Sequence, residues 1–189
     1  MILENATIQI HRPSAREMLF FFSCGVIMSV PITLFIVQLT NPLITGLDEF
    51  SAALVSTAFL SPLIEEFSKV FPLFYRHGET QRSIFRLALL VGLGFGLVEF
   101  LTYVFVLGAY WPLRLFGLVF HPASTSISAY GIATKRPLPF FALAVGLHFA
   151  NNLMALVNPF PVNSSIIIVT LAGLASWRLH TRTQEKIIM

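Results

Sequence analysis

The chain has 189 residues, of which 56% are hydrophobic and only 11% are charged. Soluble domains carry about 25% charged residues, so a deficit spread along the whole length excludes an ordinary water-soluble domain and points to an integral membrane protein. The formal net charge of +3 does not indicate nucleic-acid binding, because Lys and Arg are massed on no single element, and the lone Cys24 excludes an intrachain disulfide or a cysteine-rich metal site.

Six apolar stretches follow one another, at about 18–39, 50–74, 84–108, 112–133, 138–157 and 162–178. Each has about 17–25 residues, enough to cross a hydrocarbon core about 30 Å thick as a helix. The first is too long for a signal-peptide core and runs on into "VQLTNPLITG" without a small-residue cleavage site, so it is expected to stay as an anchor. The connections alternate in charge. Arg12 and Arg16, then Arg76, Arg82 and Arg86, then Lys135 and Arg136, and finally Arg178, Arg182 and Lys186 lie on one side. The other side holds Asp48 and Glu49, a solitary Arg114, and the uncharged "NPFPVNSS". By the positive-inside rule both termini are cytoplasmic, with Tyr110, Trp111 and Trp177 in interfacial belts and Arg114 as an interfacial anchor. Pro31, Pro62 and Pro72 fall within predicted spans, where neighbours can satisfy the freed backbone groups. "GLGFG" lacks dinucleotide-fingerprint spacing, and Gly92 and Gly96 are expected to serve close helix packing instead. The expected architecture is an all-α polytopic bundle of about six transmembrane helices, one domain over 1–189.

Against this background the informative residues are polar ones inside the apolar stretches: Glu65, Glu66, Lys69, Glu99, His121, His148 and Asn152. A charge at the bilayer centre costs about 2.5–3.5 kcal/mol on insertion scales, so several in one small protein need mutual compensation or a watery cavity. Their depths follow from a rise of about 1.5 Å per residue, counted from the nearest basic residue at the cytoplasmic boundary. Glu66 lies about 15 Å from Arg76, Glu65 about 16 Å, and Glu99 about 20 Å from Arg86. His121 lies about 21 Å from Lys135, and His148 about 18 Å from Arg136. Counts on four different helices agree within about one helical turn, which predicts a single buried polar site with the motif region at 50–157. Glu65 and Lys69, His121 and Thr125, and His148 and Asn152 are each four apart and so share a helix face. Lys69 can pair with Glu65, or with Glu66 at three apart. His11, His77 and His180 fall at boundaries or in tails and carry no such signal.

A buried carboxylate can act as a general base toward water. Histidines can bind a metal or donate to an oxyanion, and asparagine is a further oxyanion donor. Base, water and oxyanion donors together describe amide hydrolysis. No serine or cysteine has a nucleophile's setting, since Ser61 and Ser68 show no partner in the sequence.

The motifs "EEFSK" (65–69), "FGLVE" (95–99), "HPAST" (121–125) and "HFANN" (148–152), in this order on successive helices, resemble the PrsW family of intramembrane proteases. That family is similar to the CAAX-processing endopeptidases and bacteriocin-immunity membrane proteins. The resemblance implies a helical bundle with a polar cavity. Glu65 would activate water, Glu66 and Lys69 would set its charge state, and His148 and Asn152 would stabilise the oxyanion. Glu99 stands where CAAX-type relatives have a histidine, and the lysine comes one residue before their arginine, so the PrsW branch fits better than prenylated substrates do. The implied partners are the lipid bilayer and a single-span membrane protein, such as an anti-sigma factor cut in regulated proteolysis. The implied location is a prokaryotic cytoplasmic membrane. Two chemistries stay open: a zinc site of Glu99, His121 and His148 with Glu65 or Glu66 as base, or a metal-free mechanism in which Glu and His share the water. Two other classes stay open as well. A proton-coupled transporter or channel would need a polar path to both faces, and a non-catalytic scaffold or immunity protein would tolerate loss of Glu65 and His148.

Overall fold

Capping signals in the sequence set where the helices begin. In the computed structural model, which describes residues 12–75, 80–157 and 161–186, Ser14 opens α1 (Ala15–Ile44). Its hydroxyl accepts from the Glu17 N–H at 3.3 Å, and the Glu17 carboxylate accepts from the Ser14 N–H at 2.9 Å, a reciprocal box that satisfies two orphan donors. Gly46, at φ 88°, turns the chain to Asp48, whose carboxylate accepts from the Ser51 N–H at 3.1 Å and starts α2 (Glu49–Tyr75). Thr80 caps α3 (Gln81–Val106) by accepting from the Ser83 N–H at 3.1 Å. α4 (Trp111–Ala133) follows Gly108, at φ 67°. α5 (Pro137–Val157) and α6 (Pro161–Arg182) both begin at proline, where the missing N–H breaks no helical bond. His11, Arg76 and His77 lie outside the described residues.

Such short connections make successive helices antiparallel. α4 occupies the middle, packed on α3, α5 and α6, while α1 lies along the other face of α3 and α2 closes against α1 and α5. The chain is helical and holds six helices among the described residues, which matches the expected all-α bundle in class and helix number. Among the described residues, α1, α2, α3 and α5 are long and apolar enough to cross a membrane. α4 is long enough at 23 residues but more polar, and its position gives the reason. From Phe120 to Ala133 it is almost wholly buried in protein, Ser124, Ser126 and Ser128 included, and side chains that meet no lipid need not be apolar.

Close approach through glycine fixes the order of helices. A Cβ added at Gly25 would lie 2.0 Å from the Val91 carbonyl oxygen, and one at Gly94 would lie 2.2 Å from that of Phe22. α1 and α3 therefore touch backbone to backbone. On the opposite face of α3, a Cβ at Gly92 would sit 2.5 Å from the His121 carbonyl oxygen, whereas at Gly96 the nearest atom is a His121 ring carbon at 3.3 Å. Gly92 thus sets the α3–α4 spacing at the turn that carries His121, as small residues do where membrane helices cross closely.

The half of the bundle nearest the basic connections is filled with apolar side chains. Phe21, Leu73, Ile84, Leu87, Ala88, Val91 and Ala129 form one cluster, and Phe85, Ile127, Ala144 and Leu179 another. Backbone crowding at the glycines has a measurable consequence. Gly25→Ala and Gly92→Ala are each expected to lose about 1–3 kcal/mol in unfolding of the detergent-solubilised protein. Gly146→Ala, where nothing lies within 4 Å of the added carbon, is expected to hold stability or gain up to about 1 kcal/mol. Equal stability of Gly92→Ala and Gly146→Ala would contradict the close-packing role.

Candidate active site

α2 changes its winding just before the motif it carries. Leu54–Leu60 is π-helical, and the Ser61 N–H bonds five residues back to the Ser56 carbonyl. Pro62 follows; it has no N–H for the carbonyl four residues earlier, and a wider turn accommodates that loss. Ser61–Val70 is then α-helical and presents Glu65, Glu66 and Lys69.

Glu66 and Lys69 are both fully buried and joined at 2.6 Å. Of the two pairings open to Lys69 from spacing alone, the structure uses the one at three apart. The Glu66 Oε1 also accepts from Ser124 Oγ at 3.0 Å and from His148 Nδ1 at 2.8 Å. One carboxylate oxygen therefore ties α2 to α4 and α5. The Lys69 ammonium donates onward to His121 Nδ1 at 2.9 Å and lies 5.0 Å from the centre of the Phe95 ring. His121 Nε2 contacts the Glu99 carboxylate, and Glu65 accepts from the Ser61 hydroxyl. The chain Glu66–Lys69–His121–Glu99 thus crosses α2, α4 and α3, with His148 of α5 on its side.

These partners assign the tautomers. A carboxylate only accepts, so His148 carries a proton on Nδ1, and in the neutral ring its Nε2 lone pair faces Glu65 Oε2 at 3.8 Å. An ammonium only donates, so His121 accepts at Nδ1 and gives its Nε2 proton to Glu99. The two rings lie 5.4 Å apart, with Phe120 edge-on to both.

Two cavities reach this cluster. One, of about 300 Å³, lies between α3, α4, α5 and α6, with Glu99, Arg114, His121, His148 and Asn152 in its wall. The other, of about 380 Å³, lies between α1, α2 and α3, with Thr33, Ser56, Ser61, Glu65 and Glu99 in its wall. Glu99 lines both; Glu66 lines neither. Both lie in the half of the bundle away from the basic connections, ending near Tyr110 and near Ile44 and Leu107.

Six of the seven residues singled out in the sequence are therefore brought together. Asn152 stands apart: its Nδ2 donates to the Thr57 carbonyl at 2.9 Å, tying α5 to the π-helical turn of α2. Thr125 bonds back to the His121 carbonyl at 2.8 Å instead of facing the cluster. Ser124, which the sequence reading passed over, and Ser61, whose partner it did not recognise, are additional members. The signal was available, since Ser124 is three residues past His121 and Ser61 four before Glu65. Asn151, also passed over, lines the first cavity with a buried Oδ1 that has no hydrogen-bond partner among the described residues.

The donor chemistry suits a divalent cation. Glu65, His121 and His148 each offer one ligand atom, all within 4.8 Å of one another. Tetrahedral zinc places such atoms about 3.4 Å apart, so closure by up to about 1.4 Å would complete a set of two imidazoles and a carboxylate. The set contains Glu65 where the sequence reading had placed Glu99, whose carboxylate lies on His121 Nε2. Among the described residues Glu66 Oε2 is buried without a hydrogen-bond partner, an unmet acceptor that fits a cationic occupant beside it.

No curated protein and no solved structure matches the chain. Residues 13–177 match a family model described as PrsW family intramembrane metalloprotease. That span covers most of the chain and all four motifs, and the chain belongs to the PrsW family of intramembrane metalloproteases.

Proposed function

We propose that the protein hydrolyses a peptide bond of a membrane-anchored, single-span protein, with water activation depending on Glu65. The observation that carries this reading is the one-sidedness of the cavities. Both reach the carboxylate and imidazole groups from the basic-poor end, while apolar clusters fill the opposite half. A site served from one side suits hydrolysis, whereas a transporter or channel needs polar groups on both sides of the cluster.

Glu65 is the carboxylate with the freedom to act. Ser61 holds one of its oxygens, and the other faces the free Nε2 of His148 across 3.8 Å. A water reaching both atoms from the side of that gap would meet two proton acceptors, with Glu65 as the base and His148 as its partner. Glu66 serves as a positioning residue, because its Oε1 fixes the His148 tautomer and anchors Lys69, which orients His121. Asn152 keeps one amide N–H beyond the bond to Thr57 and can donate it to an oxyanion. Glu65, His121 and His148 would hold a divalent metal such as zinc, which when bound supplies Lewis-acid polarisation of the carbonyl and a more acidic water. Glu99, in contact with both cavities, would be the carboxylate placed to accept a proton.

The alternation of basic connections supports six spans with both termini cytoplasmic and the site open to the extracytoplasmic side, in a prokaryotic cytoplasmic membrane. The family resemblance makes an anti-sigma factor the natural first substrate, and kinship with CAAX-processing endopeptidases belongs to the same reading.

Two outcomes follow. Purified protein should cut members of a panel of single-span reporters, with Glu65→Gln losing about 10²–10⁴-fold. Chelator should abolish cutting and zinc restore it if the metal is held as described, whereas chelator-resistant cutting assigns Glu65 as a metal-free base. Glu65→Gln that cuts like wild type sinks the mechanism and favours the scaffold reading. Independently, Lys69→Met strands the buried Glu66 charge and should cost about 3–5 kcal/mol in detergent unfolding. Adding Glu66→Gln should recover much of that loss, and equal stability of the single and double variants would contradict the pairing.

A further inference from the structure

Arg114 has a setting that interfacial anchoring does not explain. Its guanidinium carbon lies 3.6 Å from the centre of the Tyr103 ring, in the π-helical turn Thr102–Val106 that ends α3. Stacking on an aromatic face fixes the guanidinium plane and leaves its edge N–H groups pointing outward. Among the described residues no carboxylate forms an ion pair with it, and it is only half-buried, in the wall of the cavity that holds Glu99, His121 and His148. The one carboxylate in that cavity, Glu99, is engaged by His121. A planar donor fork therefore stands in the wall of this cavity with no acid engaged on it, and it matches a peptide that carries a carboxylate.

Helix geometry gives the register. Arg114 and His121 are seven residues apart on α4, hence on one face and about 10.5 Å apart along the axis. An extended peptide advances about 3.3 Å per residue, so the distance corresponds to about three residues of substrate.

Resting on the protease reading above, we propose that Arg114 is a specificity-determining residue that binds an Asp or Glu side chain of the substrate about three residues from the scissile bond. The test walks a single Asp, with Asn as the neutral control, through positions on both sides of the cut in a single-span reporter. Wild type should favour Asp over Asn at one register by about tenfold to a hundredfold in kcat/KM. Arg114→Gln should erase that preference, and Arg114→Glu should move it to Lys at the same position. Cutting without any acid preference, or a preference that survives in Arg114→Gln, overturns the proposal and leaves the protease reading standing.

A binding arm makes the result independent of turnover. Fluorescent Asp and Asn reporters are titrated against the Glu65→Gln protein in nanodiscs of phosphatidylcholine or phosphatidylglycerol. Tighter binding of the Asp reporter in phosphatidylcholine, lost on adding Arg114→Gln, supports the proposal even if no reporter is cut, an outcome that would count only against proteolysis. Equal binding of both reporters, with Arg114→Gln instead losing co-purified phosphatidylglycerol, would mean that the residue holds a lipid phosphate and would overturn the proposal.

Discussion

The fully buried Glu66 carboxylate is the constraint around which the rest of the bundle is arranged. Removing a carboxylate from water costs several kcal/mol even after relaxation, and one oxygen of this one is matched by an ammonium, a hydroxyl and an imidazole from three helices. None of these donors can move far without leaving the charge short of a partner. The demand explains why α4 carries serine where lipid-facing helices carry leucine, and why α4 lies in the middle of the bundle. It also explains why Gly92 is placed where α3 meets the His121 turn. A side chain there would push α4 outward and take Ser124 and His121 away from Glu66 and Lys69.

Much of this arrangement was legible in the sequence because membrane helices are simple rulers. A fixed rise per residue, counted from basic residues at a boundary, is enough to place Glu66, Glu99, His121 and His148 at one level. Helical spacing at three and four is enough to pair Lys69 with one of two glutamates. The choice between them was not legible, because it depends on rotation of α2 about its axis, and that rotation is set by the π-helical turn before Pro62. A π turn has no composition of its own; it appears when a missing proline N–H and neighbouring packing make the wider winding cheaper. The same turn exposes the Thr57 carbonyl that holds Asn152, which is why a residue at ideal spacing from His148 bonds elsewhere. Ser124 escaped notice, and the partner of Ser61 went unrecognised, for a different reason. In membrane helices serine commonly bonds its own backbone, as Ser68 does to Ile64 at 2.7 Å, so spacing alone does not distinguish a network member from a self-satisfied hydroxyl.

The histidine pair shows how one carboxylate sets the chemistry of another. Glu66 takes the Nδ1 proton of His148 and so turns the Nε2 lone pair toward Glu65; through Lys69 it also turns the Nε2 proton of His121 toward Glu99. Two imidazoles 5.4 Å apart are thereby held in opposite tautomers. On the proposed mechanism one accepts and the other donates, which is the asymmetry that proton transfer during hydrolysis requires.

Hydrolysis inside a membrane sets two requirements against each other: water must reach the peptide bond, yet a continuous wet path would leak protons. The bundle meets both by dividing its length. Toward the basic-poor end, α2 and α3 carry π-helical turns at Leu54–Leu60 and Thr102–Val106, and a hydroxyl-rich cavity runs beside them. Toward the basic end, α1, α3 and α4 press together through glycine, and Phe21, Leu87, Val91 and Ala129 close the interior. The polar cluster sits at the boundary between the two regimes, deep enough to strip water from a charge and shallow enough to exchange water with one side. Loosening the glycine contacts would open the path that the apolar half closes, so the packing that stabilises the fold is also what keeps a water-activating site from becoming a conduit.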